Sequence, residues 1–278
     1  MKGLKNLGNT CYMNSAIQLL LNCKEFCQII MKYQNKFNKI KVIADFIKEY
    51  YLSNQNNINP SSIKDIVSDN ELFSGFDQQD SAEFIIYFFD VIENVIKKKN
   101  IYKDFIIKEK SILKCKLVDC DNISTTNYDR LFLMLSIHDE DSELNDCYRR
   151  YKKNEKLDGD NMWLCEKCEK KRIASKRLII NKWPKNLFIK LKRFDYRNGM
   201  EVKLTNEINC PINWRHDYEL NGGIIHYGSS SGSGHYIYYG NHQGKWYIFN
   251  DTTVTNIKKR TVEKLAKVSY ILHYQRSE

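Results

Sequence analysis

The chain has 278 residues, 42% of them hydrophobic, and a net charge of +10. This composition is that of a folded protein with a sizeable core, and it excludes a disordered chain. The basic residues lie in short, scattered clusters typical of a solvated surface, so we expect no nucleic-acid partner. Apolar runs of membrane-spanning length are missing and the first residues leave no room for a signal peptide, so we expect an intracellular protein, in the cytoplasm or nucleus, without membrane contact.

The first distinctive segment is a short polar loop, residues 3–10, that leads into a cysteine, Cys11. Asn9 or Thr10 can cap a helix that begins near this cysteine and has an apolar face. A helix start has unpaired N–H groups and a partial positive charge, which favour the thiolate, the nucleophilic form of cysteine. Cys11 is therefore a candidate nucleophile. The alternative is a buried structural cysteine, as most free cysteines are.

The next elements are predicted to be helices, because residues 40–51 and 80–96 have helical apolar spacing. After residue 102 the pattern changes to short aromatic and β-branched runs, which are typical of antiparallel strands. We predict one α+β domain, with a helical part over about 1–100, a β-rich insertion over about 101–180 and an antiparallel sheet over about 181–278. The strands expected near the C-terminus are 177–180, 187–193, 224–227, 236–239, 246–249 and 270–274.

Four cysteines of the predicted insertion form two close pairs. Cys165 and Cys168 have the Cys-x2-Cys spacing of a zinc knuckle, whereas Cys115 and Cys120 are spaced more widely. Together the pairs predict a tetrahedral site for one zinc ion, which is structural because four thiolates leave no open position for catalysis. The wide first pair leaves two interpretations open, a bulged knuckle around the ion or a site that has lost it.

Among the six histidines, His235 is the candidate base, because it follows a Gly/Ser-rich run, 228–234, and begins a predicted strand. A loop of this kind is typical of the mouth of a cleft. The strand 246–249 can pair beside it and bring Asn250 and Asp251 near the imidazole. An amide or carboxylate there can accept the second ring N–H and so fix the orientation of the ring. A single histidine is otherwise more often an ordinary surface or core residue.

Taken together, these segments resemble the ubiquitin-specific proteases, a group of papain-like cysteine deubiquitinases. The resemblance covers the whole chain, and the motifs occur in the order that the family has. Residues 3–15 match the cysteine box, 75–84 the Gln-Gln-Asp box, 187–194 the Lys-Arg-Phe strand, 234–236 with 246–254 the histidine box, and 270–274 the final strand. The resemblance implies a papain-like fold with a helical thumb, an antiparallel β palm and a β-rich, zinc-bearing fingers insertion.

The resemblance also implies a set of catalytic residues. Cys11 is the expected nucleophile and His235 the expected general base. The third position falls on Asn250, with Asp251 as a supporting residue that can substitute for it. Asn6 matches the amide of the oxyanion hole, which stabilises the negative oxygen of a tetrahedral intermediate. Without the resemblance, this asparagine would be a simple turn residue.

Substrate contacts are implied in the same way. Asp80 and Glu83 match acidic residues that hold the arginines of the C-terminal tail of ubiquitin, and Tyr236 is expected to join them. Without the resemblance, the two carboxylates would be an ordinary solvated helix face. The implied reaction is thiol-dependent hydrolysis of the peptide or isopeptide bond after the final glycine of ubiquitin. Ubiquitinated proteins are the expected substrates, with no catalytic cofactor and a monomeric enzyme.

Two alternatives stay open beside this interpretation. The first is a catalytically inactive ubiquitin-binding domain, although Cys11, His235 and Asn6 are all present. The second is a protease for another modifier with a Gly-Gly tail. A nucleic-acid-binding zinc ribbon would explain the cysteine pairs but none of the other motifs.

Overall fold

The computed structural model describes residues 1–98, 100–197, 199–230 and 232–276. The fold is α+β, as predicted. The helices of the described part are α1 (Cys11–Leu21), α2 (Lys24–Tyr33), α3 (Asn38–Leu52), α4 (Ser61–Val67), α5 (Glu71–Ser74), α6 (Ser81–Ile96), α7 (Leu144–Tyr151) and α8 (Lys259–Lys267), with a 3-10 turn at Gly159–Asn161. None of the helices in these described ranges is both long and apolar enough to cross a bilayer.

The strands of the same ranges follow mostly after α6. They are β1 (Gly3–Leu4), β2 (Asn57–Ile58), β3 (Ile107–Cys115), β4 (Ile123–Arg130), β5 (Phe132–Ser136), β6 (Glu155–Leu157), β7 (Trp163–Cys165), β8 (Lys170–Arg172), β9 (Ala174–Lys182), β10 (Asn186–Lys192), β11 (Phe194–Arg197), β12 (Met200–Lys203), β13 (Asn213–Trp214), β14 (Tyr218–Ser230), β15 (Ser233–His242), β16 (Lys245–Asn250), β17 (Thr253–Ile257) and β18 (Ile271–Arg276).

The largest sheet has the strand order β17-β16-β15-β14-β18-β10-β5, with β13 paired to β14. The pairs along this path are antiparallel except for β10 and β5, which run parallel. Two short sheets, β1 with β2 and β11 with β12, lie outside it. The sheet is therefore built mainly by chain that follows the insertion, as the short alternating runs predict.

Both faces of this sheet are covered, because successive side chains of a strand point to opposite faces. In β15, Tyr236 and Tyr238 lie in one hydrophobic cluster, whereas Ile237 and Tyr239 lie in a second. The first cluster includes the buried residues of α1, α3 and α6, and the second includes those of α7 and α8. Helix α1 is buried along its whole length and packs against β15. This packing brings the start of α1 beside the start of β15.

The insertion forms a separate four-stranded antiparallel sheet, in the order β4-β3-β9-β6. A small hairpin, β7 and β8, follows β6 in the chain. Three buried cysteines, Cys115, Cys120 and Cys165, form a cluster of their own with Trp163 and Cys168 packed against it. The buried cluster in this part of the chain therefore consists mainly of cysteines rather than of large apolar side chains.

Two features of the fold differ from expectation. Strand β14 extends to Ser230, which pairs with Ser233, so the run 228–234 belongs mostly to a β-hairpin rather than to a loop; Ser231 lies outside the described residues. Helices α7 and α8 were not expected. Each buries only two or three side chains, which is too few for helical spacing to stand out in the sequence.

Arg193, directly after β10, is a buried arginine that bonds only backbone groups of the described residues. It is 2% exposed, and its guanidinium donates four hydrogen bonds of 2.8–3.0 Å to backbone carbonyls, those of Leu204, Asn206, Lys267 and Ser269. Two of these carbonyls lie in the segment after β12, one belongs to the last residue of α8 and one lies two residues further on. A fixed fork of N–H donors is needed for this arrangement, because arginine presents five N–H groups in one plane.

We predict that Arg193→Met lowers the free energy of unfolding by about 3–5 kcal/mol, since a buried acceptor left unpaired costs about 1–3 kcal/mol. Urea unfolding measures the change. The matched control is Arg197→Met, which removes an exposed ion pair with Asp139 and is expected to cost about 0–1 kcal/mol. Equal losses in the two variants would contradict the role given to Arg193.

Candidate active site

Cys11 is the first residue of α1, and Thr10 is its N-cap. The loop before it is folded on the side chain of Asn6, whose Oδ1 accepts from Gly8 N at 3.0 Å and from Thr10 N at 3.1 Å. The Thr10 hydroxyl accepts from Leu7 N at 2.9 Å and makes no cap bond to the helix. The thiol is thus delivered to the helix start by a rigid loop, as the sequence indicates. The unpaired N–H groups of the first turn lie beside it.

His235 lies in β15, and its Nε2 is 2.6 Å from Asn250 Oδ1 at the end of β16. The pKa of His235 is raised from 6.5 to about 9. The largest cause is hydrogen bonding with the Cys11 side chain; desolvation opposes it, and the Asn250 hydrogen bond and the nearby Asp251 charge add to it. His235 therefore interacts with both Cys11, at the start of α1, and Asn250, at the end of β16.

Asp251 is placed differently from Asn250. One carboxylate oxygen accepts from Asn6 Nδ2 at 2.9 Å and the other from Asn14 Nδ2 at 2.7 Å. Its backbone carbonyl accepts from Leu4 N at 2.8 Å. Asp251 has a φ of 48°, so the chain turns sharply after Asn250 and the next side chain points to the N-terminal segment. Asp251 thus contacts the amide of Asn6 and not the imidazole.

Asn6 is held from both ends by these bonds. Its oxygen accepts from the backbone of its own loop and one amide hydrogen is donated to Asp251. A primary amide carries two hydrogens, so one N–H remains for another acceptor. The side chain is exposed, and this second N–H can therefore meet a substrate oxygen.

Asp80 is the N-cap of α6 and its Oδ1 accepts from Ala82 N at 2.6 Å and Glu83 N at 3.0 Å. Its other oxygen accepts from the Tyr270 hydroxyl and lies 3.7 Å from Lys190 Nζ. Asp80 is thus engaged within its own chain. Its clearest effect is to cap α6.

Glu83 and Tyr236 are the other two residues with expected substrate contacts. Glu83 is exposed in the first turn of α6, and its carboxylate has no hydrogen bond or ion pair with the described residues. Tyr236 is 3% exposed and its hydroxyl has no partner within the same ranges. Its predicted contact with substrate stays a prediction, as do those of Asp80 and Glu83.

Two residues that contact the site were not singled out from the sequence. Asn14, one turn into α1, joins Asp251 to the backbone of Lys5 at 3.2 Å. Gln78 accepts a hydrogen bond from Gly234 N, the residue before His235. Gln78 lies in a matched motif, which was the available signal. Asn14 follows Cys11 by three residues, so it lies on the same side of the helix.

The four cysteines of the insertion lie together, with all their sulfur atoms within 4.8 Å of one another. Cys120 Sγ and Cys165 Sγ are 3.7 Å apart. A tetrahedral zinc site with Zn–S bonds of about 2.3 Å requires S–S distances of about 3.8 Å. The group can therefore hold a metal ion. Asn122 Nδ2 donates to Cys165 Sγ at 3.2 Å, as outer-shell donors do at metal sites.

The wide spacing of Cys115 and Cys120 does not prevent this arrangement. Cys120 N donates to Leu117 O at 3.1 Å and Cys115 N donates to Asn122 O at 3.1 Å. These two bonds fold the intervening residues into a compact turn, so both sulfurs face the second pair. The first pair therefore forms a bulged knuckle whose sulfurs are close enough to the second pair to hold a metal ion.

Comparison with known proteins gives a consistent result. The family model described as ubiquitin carboxyl-terminal hydrolase matches residues 2–274. Human ubiquitin carboxyl-terminal hydrolase 3 is 28% identical over 351 aligned positions, which cover 98% of this chain and 67% of the relative. Ubiquitin carboxyl-terminal hydrolase 12 of Salmo salar is 26% identical, with 98% of this chain and 89% of the relative covered.

Solved structures match over the full length of the chain. A chain of the SAGA Ubp8/Sgf11/Sus1/Sgf73 DUB module bound to ubiquitin aldehyde has a TM-score of 0.83 and 25% identity, with 100% of this chain and 70% of that chain covered. A second structure of the module, in which a cysteine-to-alanine variant of Ubp8 is present and monoubiquitin is bound, has a TM-score of 0.83 and 26% identity, with 100% and 69% covered.

The raised pKa of His235 predicts a pH dependence of stability. A group whose pKa is higher in the folded state stabilises the fold fully below its unfolded pKa, here 6.5, and loses that contribution as the pH rises through about 9. Since Cys11 is the largest cause, the free energy of unfolding should fall less over this range in Cys11→Ala than in the wild type. Urea unfolding at several pH values measures both slopes. Parallel slopes would contradict the pairing of the two residues.

Proposed function

Since the chain belongs to the ubiquitin carboxyl-terminal hydrolase family, we propose that Cys11, His235 and Asn250 carry out the reaction of this family. The protein is a cysteine-type deubiquitinase, which hydrolyses the bond after the final glycine of ubiquitin. The observation that carries the assignment of residues is that His235 interacts both with Cys11, at the start of α1, and with Asn250. These three residues supply a nucleophile, a base and an orienting group in contact order.

The proposed reaction begins with the thiolate of Cys11 and the imidazolium of His235. The Asn250 oxygen can only accept, so the Nε2 that faces it carries a proton and Nδ1 is left to exchange a proton with Cys11. The sulfur attacks the carbonyl carbon of the final glycine. The bond to the lysine amine breaks as His235 protonates the amine, and a thioester remains.

Water completes the reaction. His235, now neutral, takes one proton from a water molecule as the water oxygen attacks the thioester carbonyl. The C–S bond then breaks and releases the thiolate of Cys11 and the terminal carboxyl group of ubiquitin, which loses its remaining proton to solvent. Asn250 is neutral and cannot balance the imidazolium, so the charge balance in the resting site comes from the Cys11 thiolate itself. The raised pKa of His235, whose largest cause is hydrogen bonding with Cys11, supports the pairing of these two side chains.

Asn6 is proposed to stabilise the oxyanion of both tetrahedral intermediates. We propose that its second amide N–H and the backbone N–H groups at the start of α1 are the donors to this oxyanion. Asp251 is then a positioning residue, because it fixes Asn6 and Asn14 through its two oxygens. Loss of one oxyanion donor typically costs about 2.7–4 kcal/mol of transition-state stabilisation.

The tail of the substrate is proposed to bind beside the start of α6. Glu83 is the residue best placed to bind an arginine, because its carboxylate is exposed and free of ion pairs with described residues. Asp80 supports it by capping the helix from which Glu83 projects. Structures related to this chain contain ubiquitin aldehyde and monoubiquitin, which supports ubiquitin as the partner.

We propose zinc as the metal of the four-cysteine group, because a set of four thiols with these spacings suits Zn²⁺ and leaves no open position. The ion would hold the ends of β3 and β7 together, where few apolar side chains are available. We also propose an intracellular location, in the cytoplasm or nucleus. All nine cysteines are free, and unpaired cysteines are typical of a reducing compartment.

The monomeric state stays a prediction, since the related chains of known structure are parts of a module with other subunits. Two substrates remain to be separated, ubiquitin and another modifier with a Gly-Gly tail. Both would present the same narrow C-terminus to Cys11, so the difference lies in the body that the insertion contacts.

The function is tested with ubiquitin that carries a C-terminal electrophile. The wild-type protein is expected to form a covalent adduct, which mass spectrometry detects, and Cys11→Ala is expected to form none. Cys27→Ala is the matched control, because it removes a thiol outside the site and should keep the adduct. Folded wild-type protein that reacts with the electrophile of a different modifier but not with that of ubiquitin would contradict the assignment.

The roles of the adjacent residues are separable by kinetics. Asn250→Ala should shift the basic limb of the kcat/KM profile to lower pH, because it removes a hydrogen bond that raises the pKa of His235. Asp251→Ala should lower kcat by about 100-fold through loss of the Asn6 position, with a smaller shift of the limb. Hydrolysis of a fluorogenic ubiquitin amide measures both. If instead Asp251→Ala shifts the basic limb and Asn250→Ala mainly lowers kcat, Asp251 rather than Asn250 orients the imidazole.

Metal content tests the zinc proposal. The purified protein is expected to contain one zinc ion per chain by mass spectrometry, and Cys165→Ser is expected to lose it and to unfold at a lower temperature. Cys27→Ser serves as the control with full metal content. If the wild-type protein contains no zinc and its unfolding temperature is the same with and without chelator, the four thiols are not a metal site.

A further inference from the structure

Lys203 is the last residue of β12, and its side chain bonds to β14, a strand with which β12 is not paired. Its Nζ lies 2.7 Å from His226 O, 2.8 Å from Gly228 O and 3.2 Å from His226 Nδ1. An ammonium has three donors and no acceptor, so these three groups use all of its hydrogens. The side chain is half-buried, and burial lowers its pKa. Such a lysine differs from the solvated lysines elsewhere on the surface.

The two carbonyls lie where β14 has lost one of its strand partners. Ile224 is the last residue of β14 that pairs with β18, and its carbonyl accepts from Tyr270 N at 2.8 Å. Carbonyls two residues apart in a strand point the same way, so the next two on that side belong to His226 and Gly228. Lys203 therefore supplies the donors that the missing strand would have supplied.

The same part of β14 supports the backbone of His235. Tyr227, between the two bonded carbonyls, pairs with His235, and the register of the hairpin shifts directly after this pair. A Cβ on Gly234 would overlap His226 Nε2 and Tyr227 O. Gly234, at a φ of 155°, can therefore lie directly against the imidazole of His226.

The ring of His226 is held in one orientation. It contacts the ring of Tyr236 at 4.6 Å between centroids and that of Phe194 at 5.4 Å. Burial, followed by the charge of Lys203, lowers the pKa of His226 to about 4, so the ring is neutral near pH 7. Its Nδ1 accepts from the ammonium, which leaves the proton on Nε2. The ring thus contacts residues on both sides of His235 in the chain.

We propose that Lys203 is a positioning residue for the base of the site: by bonding His226 and Gly228 it holds the β14–β15 hairpin so that His235 lies in line between Cys11 and Asn250. The inference rests on the proposed function, because it concerns the base of the same site. Gln78, which accepts from Gly234 N, holds the hairpin from the side of α6.

The test compares Lys203→Met with Lys203→Arg. The methionine variant keeps the length of the side chain but has no donor, and it should lower kcat/KM for a fluorogenic ubiquitin amide by about 10- to 100-fold, since small misplacements of a catalytic group cost about that much. The arginine variant keeps donors and charge and should stay within about fivefold of the wild type. Lys2→Met is the matched control, because Lys2 also bonds two backbone carbonyls, those of Glu49 and Ser53, away from His235.

The decisive readout is the titration of the His235 ring, followed by NMR in labelled protein without ubiquitin. Its pKa is expected at about 9 in the wild type and nearer 6.5 in Lys203→Met, because a displaced imidazolium loses the thiolate and the amide together. The basic limb of kcat/KM should move in the same direction. Lys2→Met should leave both unchanged.

The outcomes separate this inference from the proposed function. A loss of activity in Lys203→Met with an unchanged His235 titration would overturn the positioning role, as would unchanged activity. If the methionine variant does not fold, Lys203→Gln, which is shorter and has two N–H donors instead of three, is used in its place, and smaller changes in the same directions are expected. Wild-type protein without activity on ubiquitin would contradict the proposed function alone, since the titration does not depend on the substrate.

Discussion

The site depends on two adjacent residues at the end of β16, Asn250 and Asp251. Asn250 belongs to the sheet and bonds to His235 at 2.6 Å. Asp251, after a turn through a positive φ, bonds to Asn6 and Asn14, and its carbonyl accepts from Leu4. Two consecutive residues thus bond to the two halves of the site: Asn250 bonds to the base, His235, and Asp251 bonds to the loop that precedes Cys11. If these two residues moved, the thiol and the imidazole would separate, because α1 and β15 otherwise meet through apolar packing, which is not directional.

The remaining parts of the structure support these two residues at a distance. Arg193 bonds four backbone carbonyls near the end of α8, Lys203 bonds two in the β14–β15 hairpin, and Asp80 caps α6. In each case a charged side chain satisfies backbone groups that no strand or helix can reach. In the insertion, strand β4 is mostly exposed, and a separate small cluster of buried side chains consists mainly of cysteines whose sulfurs can hold a metal ion. Rigid support near the proposed site is consistent with hydrolysis at the tail of a folded modifier.

From the sequence, the proposed reacting groups could be named, whereas the residues that support them could not. Cys11 and His235 lie in motifs with glycine, and the strands after residue 176 alternate clearly, so both the sheet and the site could be predicted. The roles of Asp251 and Asn250 could not be distinguished, because the alternation of side-chain direction along a strand stops at a residue with a left-handed φ. Lys203 resembles any surface lysine in the sequence, and its role depends on where β18 begins. Asp80 was matched to substrate binding, whereas both of its oxygens also bond within the chain; the choice between capping and binding depends on side-chain direction.

The central claim is that Asp251 acts on catalysis through Asn6. A double-mutant cycle with Asp251→Ala, Asn6→Ala and the combined variant, measured as kcat/KM on a fluorogenic ubiquitin amide, tests it most directly, because residues that act as a unit show non-additive losses. We expect the kcat/KM of the combined variant to be no more than about threefold below that of the less active single variant, since either change already removes the oriented amide. A combined loss equal to the product of the two single losses would contradict it and would show that the two residues act independently.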